Sequence, residues 1–134
     1  MDAELQALVD VARSARDRAH APYSGFAMGA AARTATGDEF PGALVENVSR
    51  GLAMCAERVA MFSSVAAGGG QVTAVALVAP TTDGELTMPC GACLQVASEL
   101  GGPDLVVVVA DLDGRTERFR LGDLAPHLPA KRRS

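Results

Sequence analysis

The sequence predicts an α/β fold, a three-layer α/β/α sandwich with a mixed five-stranded sheet, and three features of its patterning lead there. Val72 to Ala79 and Leu105 to Ala110 are continuous apolar, β-branched runs, as expected of strands buried on both faces. Segments of helix-forming character from Asp2 to Ala19, Met54 to Ala67 and Gly91 to Leu100 are interspersed with the strands. Phe26 to Arg33 and Glu39 to Val45 flank the turn residues Thr36-Gly37-Asp38, which predicts an antiparallel hairpin and so a sheet of mixed direction.

In the first helix Leu5, Leu8, Val9 and Ala12 recur at helical spacing, with Arg13, Arg16, Asp17 and Arg18 for the wet face. It stops near Ala21-Pro22-Tyr23-Ser24-Gly25, where proline and glycine disfavour continuation. Gly68-Gly69-Gly70 ends the second helix, and the third opens at Pro89-Cys90 and closes at Gly101-Gly102-Pro103. Arg115 to Arg120, after the Asp113-Gly114 turn, is a last and more exposed strand, which completes the order α-β-β-α-β-α-β-β. No repeat or linker interrupts the pattern. A chain of 134 residues, 49% of them apolar, suits one domain, 1–134, with a core that needs no disulfide staples.

The net charge of −4 supplies no field toward nucleic acid apart from Lys131, Arg132 and Arg133 at the tail, so polynucleotide binding is disfavoured. No apolar run reaches the roughly 18 residues of a membrane span. Asp2 and Glu4 stand where a signal peptide carries positive charge, so the expected place is the cytoplasm, with no membrane partner. Three cysteines cannot all pair in disulfides, and Cys90-Gly91-Ala92-Cys93 points to metal or redox chemistry.

The residues that carry chemistry are Cys55-Ala56-Glu57 and Pro89-Cys90-Gly91-Ala92-Cys93. Three thiolates from Cys55, Cys90 and Cys93 make a tetrahedral Zn2+ site with one position open, the mark of a catalytic rather than a closed structural site. Cys55 lies near the start of the second helix and Cys90 and Cys93 in the first turn of the third, so two positive helix ends favour thiolate. Glu57, two residues from a ligand, is placed to shuttle protons in a hydrolysis. Arg58 can donate to the sulfurs and offset the net negative charge of a three-thiolate zinc. Other readings are a structural zinc knot, a dithiol oxidoreductase using Cys90 and Cys93, and for Glu57 a carboxylate that only complements a helix dipole. The joint spacing favours the catalytic one. His20 and His127 follow no ligand spacing and read as surface residues, while Met54, Met61 and Met88 read as packing residues.

Ala21-Pro22-Tyr23-Ser24-Gly25-Phe26, Gly29-Ala30-Ala31, Glu46-Asn47, Cys55-Ala56-Glu57-Arg58 and Pro89-Cys90-Gly91-Ala92-Cys93 with Gln95 together resemble the small, homotetrameric, three-cysteine zinc cytidine deaminases over nearly the whole chain. The resemblance implies a cytidine deaminase-like fold and hydrolytic release of ammonia from a cytosine nucleoside or a related aminated heterocycle. It also implies one zinc per subunit and a homotetramer in which neighbours complete each pocket. Carried onto matching positions, Phe26 would pack against the base and Glu46 would bond a sugar hydroxyl. The bland alternatives are a core phenylalanine and a solvated glutamate.

Four positions depart from that pattern: Leu44 replaces an asparagine that helps hold the sugar, and Arg50 replaces an aromatic residue. Leu94 stands for an arginine after the zinc cysteine, and Pro129 for a phenylalanine near the C-terminus. Leu44 and Arg50 suggest a sugar-modified nucleoside as substrate, as in deaminases of the blasticidin type. By residue type alone Arg50 reads more readily as a solvated or subunit-interface arginine than as a ligand contact. A catalytically weak, zinc-containing nucleoside-binding module is a further alternative, against which the retention of Glu57 argues.

Overall fold

The computed structural model describes residues 1–131; Arg132 and Arg133 of the basic tail lie outside the described residues. Along the chain come α1 (Ala3–Ala15), β1 (Gly29–Thr34), β2 (Glu39–Ala43), α2 (Ala56–Ala66), β3 (Val72–Val78), α3 (Gly91–Gly101), β4 (Val106–Ala110), β5 (Thr116–Arg120) and the short α4 (Leu121–Leu124). The strands form one sheet in the order β2-β1-β3-β4-β5. β3 and β4 run parallel, joined through α3, and the other neighbours are antiparallel.

Side chains alternate across the strands and divide the core into two layers. Leu5, Leu8, Val9 and Ala12 of α1 pack on Ala31, Ala74, Ala76, Val78, Val108 and Ala110. On the other face Ala56, Ala60 and Met61 of α2 and Ala97 of α3 pack on Ala30, Ala32, Val75, Leu77, Val107 and Val109. Each fully buried leucine or valine contributes about 1.5–3 kcal/mol relative to exposure. Asp2 starts α1 by accepting the Leu5 amide at 2.8 Å, a cap that satisfies one otherwise orphaned donor.

The helices approach the sheet closely because the facing residues are small. A Cβ added at Gly29 would lie 2.2 Å from the Ala12 carbonyl oxygen, and one at Gly42 would lie 2.4 Å from that of Ala56. The Gly42 contact seats the first turn of α2 against β2, and that turn carries Glu57. Both sheet edges are protected from further pairing: β2 holds Pro41, and β5 presents Glu117, Arg118 and Arg120.

The expected elements are all present, with displaced boundaries. Helix α1 ends at Ala15 and tightens into a 3-10 turn, Arg16–Arg18, instead of reaching Ala19. Tertiary bonds decide this: Arg16 Nε donates to the Ala27 carbonyl at 2.8 Å, and the His20 amide donates to that of Leu44 at 2.8 Å. The second hairpin strand stops at Ala43 because Val45 leaves the ladder to form bridges with His20 and Met54. Helix α4, a single turn after β5, was not anticipated. No helix among the described residues is long and apolar enough to cross a membrane.

Candidate active site

Cys55 and Cys90 occupy the N-cap positions of α2 and α3, both with extended backbone, and neither side chain caps its helix. Their carbonyls begin the helical ladders, accepting from Val59 at 3.1 Å and Leu94 at 3.0 Å. An N-cap side chain ordinarily turns back onto the helix amides. Here the sulfurs converge on each other, and Cys93, in the first turn of α3, joins them. Cys55 and Cys90 sulfurs lie 3.8 Å apart, Cys90 and Cys93 sulfurs 3.6 Å apart, and all three fall within 4.8 Å of one another. Zinc–sulfur bonds of about 2.3 Å at tetrahedral angles require sulfurs about 3.8 Å apart. The trio fits Zn2+ as its donor set stands. A dithiol reading confined to Cys90 and Cys93 gives Cys55 no part in this cluster.

The groups around Cys55 favour its thiolate. Arg58 Nη2 donates to Cys55 Sγ at 3.3 Å. Hydrogen bonding by Cys93, helped by Arg58, draws the Cys55 thiol down to about 5. The same coupling, together with burial, pushes the Cys93 thiol up.

Glu57 is only 3% exposed. Burial pushes its carboxyl up to about 7, and the neighbouring Cys55 charge adds to the rise. Its Oε1 has no hydrogen-bond partner, and neither does Arg58 Nε. An unsatisfied buried polar atom costs about 1–3 kcal/mol, so the fold holds an acceptor in reserve beside the sulfurs. A buried carboxyl poised near neutrality is suited to acid and base work.

Glu46 latches the loop before β1. Its Oε1 accepts the amides of Tyr23 at 3.0 Å and Ser24 at 3.3 Å, and its Oε2 accepts the Ser24 hydroxyl at 2.6 Å. These bonds, the Ser24 hydroxyl foremost, hold the Glu46 carboxyl below the usual carboxylate range. Ser24 Oγ in turn accepts the Phe26 amide at 3.0 Å, so the latch fixes the backbone of Phe26, which is half-buried and outside both core clusters. Leu44 is buried, with its amide on the Met28 carbonyl at 3.1 Å.

A cavity of about 610 Å³ is lined by Tyr23, Ser24, Glu46, Asn47, Arg50 and Ala53 among others. Its lining comes nearest to the cluster in sequence at Ala53, two residues before Cys55. Another of about 580 Å³ involves Ser98 to Gly102 at the far end of α3 from Cys90, roughly 15 Å away along the helix axis.

The structure thus gathers Cys55, Cys90, Cys93, Glu57 and Arg58 into one cluster, and Glu46 and Arg50 onto one cavity. Tyr23 and Ser24, which hold Glu46, were not singled out as site residues; their place in the Ala21–Phe26 motif was the available signal. Leu94 is half-buried against the core beside α2, so apolar packing occupies the position where an arginine was expected. The carbonyl of Pro129 accepts Gln95 Nε2 at 3.0 Å and ties the tail to α3. His20 and His127 are exposed, as expected; of the methionines, Met61 is fully buried whereas Met88 is 40% exposed.

Residues 2–109 match the family model for the cytidine and deoxycytidylate deaminase zinc-binding region. The chain belongs to this family and is a zinc-dependent hydrolase of the deaminase class. It is 40% identical over 123 residues to a cytidine deaminase of Halalkalibacterium halodurans, covering 92% of each chain. It is also 40% identical over 138 aligned residues to a cytidine deaminase of Mycobacterium tuberculosis, covering 98% of each. Its fold superposes on the crystal structure of cytidine deaminase from Burkholderia pseudomallei with a TM-score of 0.87 at 45% identity, covering 96% of this chain and 99% of the other.

Proposed function

We propose that the protein hydrolyses the exocyclic amine from the cytosine ring of a nucleoside, with Cys55, Cys90 and Cys93 as the Zn2+ ligands and Glu57 as the proton shuttle. The observation that carries this reading is Glu57 Oε1, buried and unpartnered beside three sulfurs at zinc spacing. When bound, zinc supplies activation of a water nucleophile near neutral pH. Glu57 would take the two protons of the attacking water in turn, passing one to the ring nitrogen and the other to the departing amine. Cytosine and water become uracil and ammonia, and Glu57 ends in its starting state. Arg58 stabilises the Cys55 thiolate and offsets the negative charge of three sulfurs.

Phe26 packs against the base, and Leu44, Glu46 and Arg50 face the sugar. A carboxylate has about four acceptor positions, and the loop uses three of those on Glu46, which leaves one on Oε2 for a sugar hydroxyl.

The assembly is a homotetramer of single-domain chains, 1–134. Phe62 and Val65, one turn apart on the outer face of α2, are 44% and 55% exposed, an apolar surface suited to a second copy. The place of work is the cytoplasm, where three free thiols stay reduced. The test is zinc content per chain with ammonia release from cytidine, Glu57→Gln serving as control. Zinc near one per chain and Glu57-dependent ammonia are expected; zinc-free, freshly reduced protein would overturn the reading. Light scattering at several concentrations gives the assembly size.

A further inference from the structure

We propose that the natural substrate carries an anionic group, a carboxylate or phosphate, on its sugar, and that Arg50 binds it. This rests on the deaminase reading for the base and adds the chemistry of the sugar side.

Arg50 sits on a loop that is pinned at its base. Val45 and Met54 exchange two backbone hydrogen bonds, of 3.0 and 2.9 Å, closing the segment between them. Inside that segment Asn47 Oδ1 accepts the Ser49 amide at 2.9 Å, and the 3-10 turn Arg50–Leu52 follows. The guanidinium is therefore presented from an ordered turn to the cavity that Glu46 also lines.

Among the described residues Arg50 has no ion pair and no side-chain hydrogen bond. The acidic group on the same cavity wall is Glu46, and its bonds from Tyr23 and Ser24 already engage both of its oxygens. Five guanidinium donors stay available for an incoming acceptor, in the fork geometry that matches carboxylate and phosphate.

The rest of the cavity wall offers no second cation: Tyr23, Ser24, Asn47, Val48 and Ala53 are neutral. Leu44, two residues before Glu46, is buried and has no group that can bond a hydroxyl. For an unmodified sugar the wall offers one free position on Glu46 and the polar groups of Tyr23 and Asn47, none of which favours an anion over a hydroxyl. Long-range attraction does not help an anion either, since the chain carries a net charge of −4. Any preference for an anion has to come from local contact, which makes it removable by one substitution.

The experiment measures calorimetric binding to the zinc-loaded Glu57→Gln protein, and ammonia release by the unsubstituted protein. The probes are cytidine, cytidine 5′-monophosphate and a cytosine nucleoside with a 5′-carboxylate. At least one anion is expected to bind about tenfold or more tightly than cytidine, with the advantage shrinking as salt rises. Which anion wins distinguishes phosphate from carboxylate. In the Glu57→Gln background Arg50→Ala should bring the affinity ratio to about one, and Arg50→Lys should keep part of it. Equal binding of cytidine and both anions, or no binding of either anion, overturns the proposal. Glu57-dependent ammonia release from cytidine in the same experiment would leave the deaminase reading standing. Absence of Glu57-dependent release from every probe would sink that reading, and the calorimetric ratio would still decide the role of Arg50.

Discussion

Cys55 and Cys90 cap two different helices and meet with 3.8 Å between their sulfurs. The metal site is therefore also a clasp between α2 and α3, and binding and stability are linked. Removing zinc with a chelator should lower the thermal midpoint. At a free zinc concentration 100 to 1,000 times the dissociation constant, the loss is about 3–4 kcal/mol. For a chain of this size that is a fall of roughly 10 °C or more, read by calorimetry and restored by added zinc. Cys55→Ser should bind less zinc and lose most of this shift.

Glu57→Gln should lower kcat by about 10²–10⁴-fold while leaving zinc content near that of the parent, checked by steady-state kinetics and metal analysis.

The same substitution should change how stability depends on pH in the metal-free protein. The Glu57 carboxyl rises from 4.5 to about 7 on folding, so the folded chain holds a proton that the unfolded chain releases. Its contribution is fully present below pH 4.5 and is lost as pH rises through about 7. Over that window the parent should lose stability, relative to Glu57→Gln, by roughly 3 kcal/mol. Denaturant midpoints of both proteins at several pH values, with chelator present, check the difference; parallel curves would remove the buried-acid account.

Glu46 titrates the other way. Its carboxyl is held below the ordinary value of 4.5, so the latch to Tyr23 and Ser24 is intact above that value and is lost as pH falls through the lower, folded value. A carboxyl carbon NMR titration should place the Glu46 midpoint under the ordinary one. Glu46→Gln, which cannot accept the Ser24 hydroxyl on a charged oxygen, should move it out of the spectrum and raise KM.

Gly42→Ala tests the seating of α2. The new methyl would meet backbone atoms of Ala56 and Ala60 at 2.4 Å, and backbone cannot rotate away. A destabilisation of about 1–3 kcal/mol is expected, together with weaker zinc binding, because α2 would have to shift with Cys55 at its N-cap.

Much of the site was legible beforehand because its parts are short-range. Cys55 and Glu57 lie two residues apart, Cys90 and Cys93 three, and each pair sits at a helix start that local residue types announce. Segments such as 44–46 were harder, since Val45 reads as strand continuation and yet pairs with His20 and Met54. Those partners are distant in sequence, and no periodicity within β2 reports them.

Residue types and spacing alone determined the α/β class, the alternation of elements, the three sulfurs and the acid beside them, because these depend on local propensity and on chemistry that few side chains can supply. Tertiary structure decided how the pieces meet. It brought two N-caps 35 positions apart into one cluster, buried Glu57 until its carboxyl rose toward neutrality, and held Glu46 on a loop so that Arg50 stood unpaired. Those are properties of distance and of displaced water, which exist only once the sheet has carried its helices together.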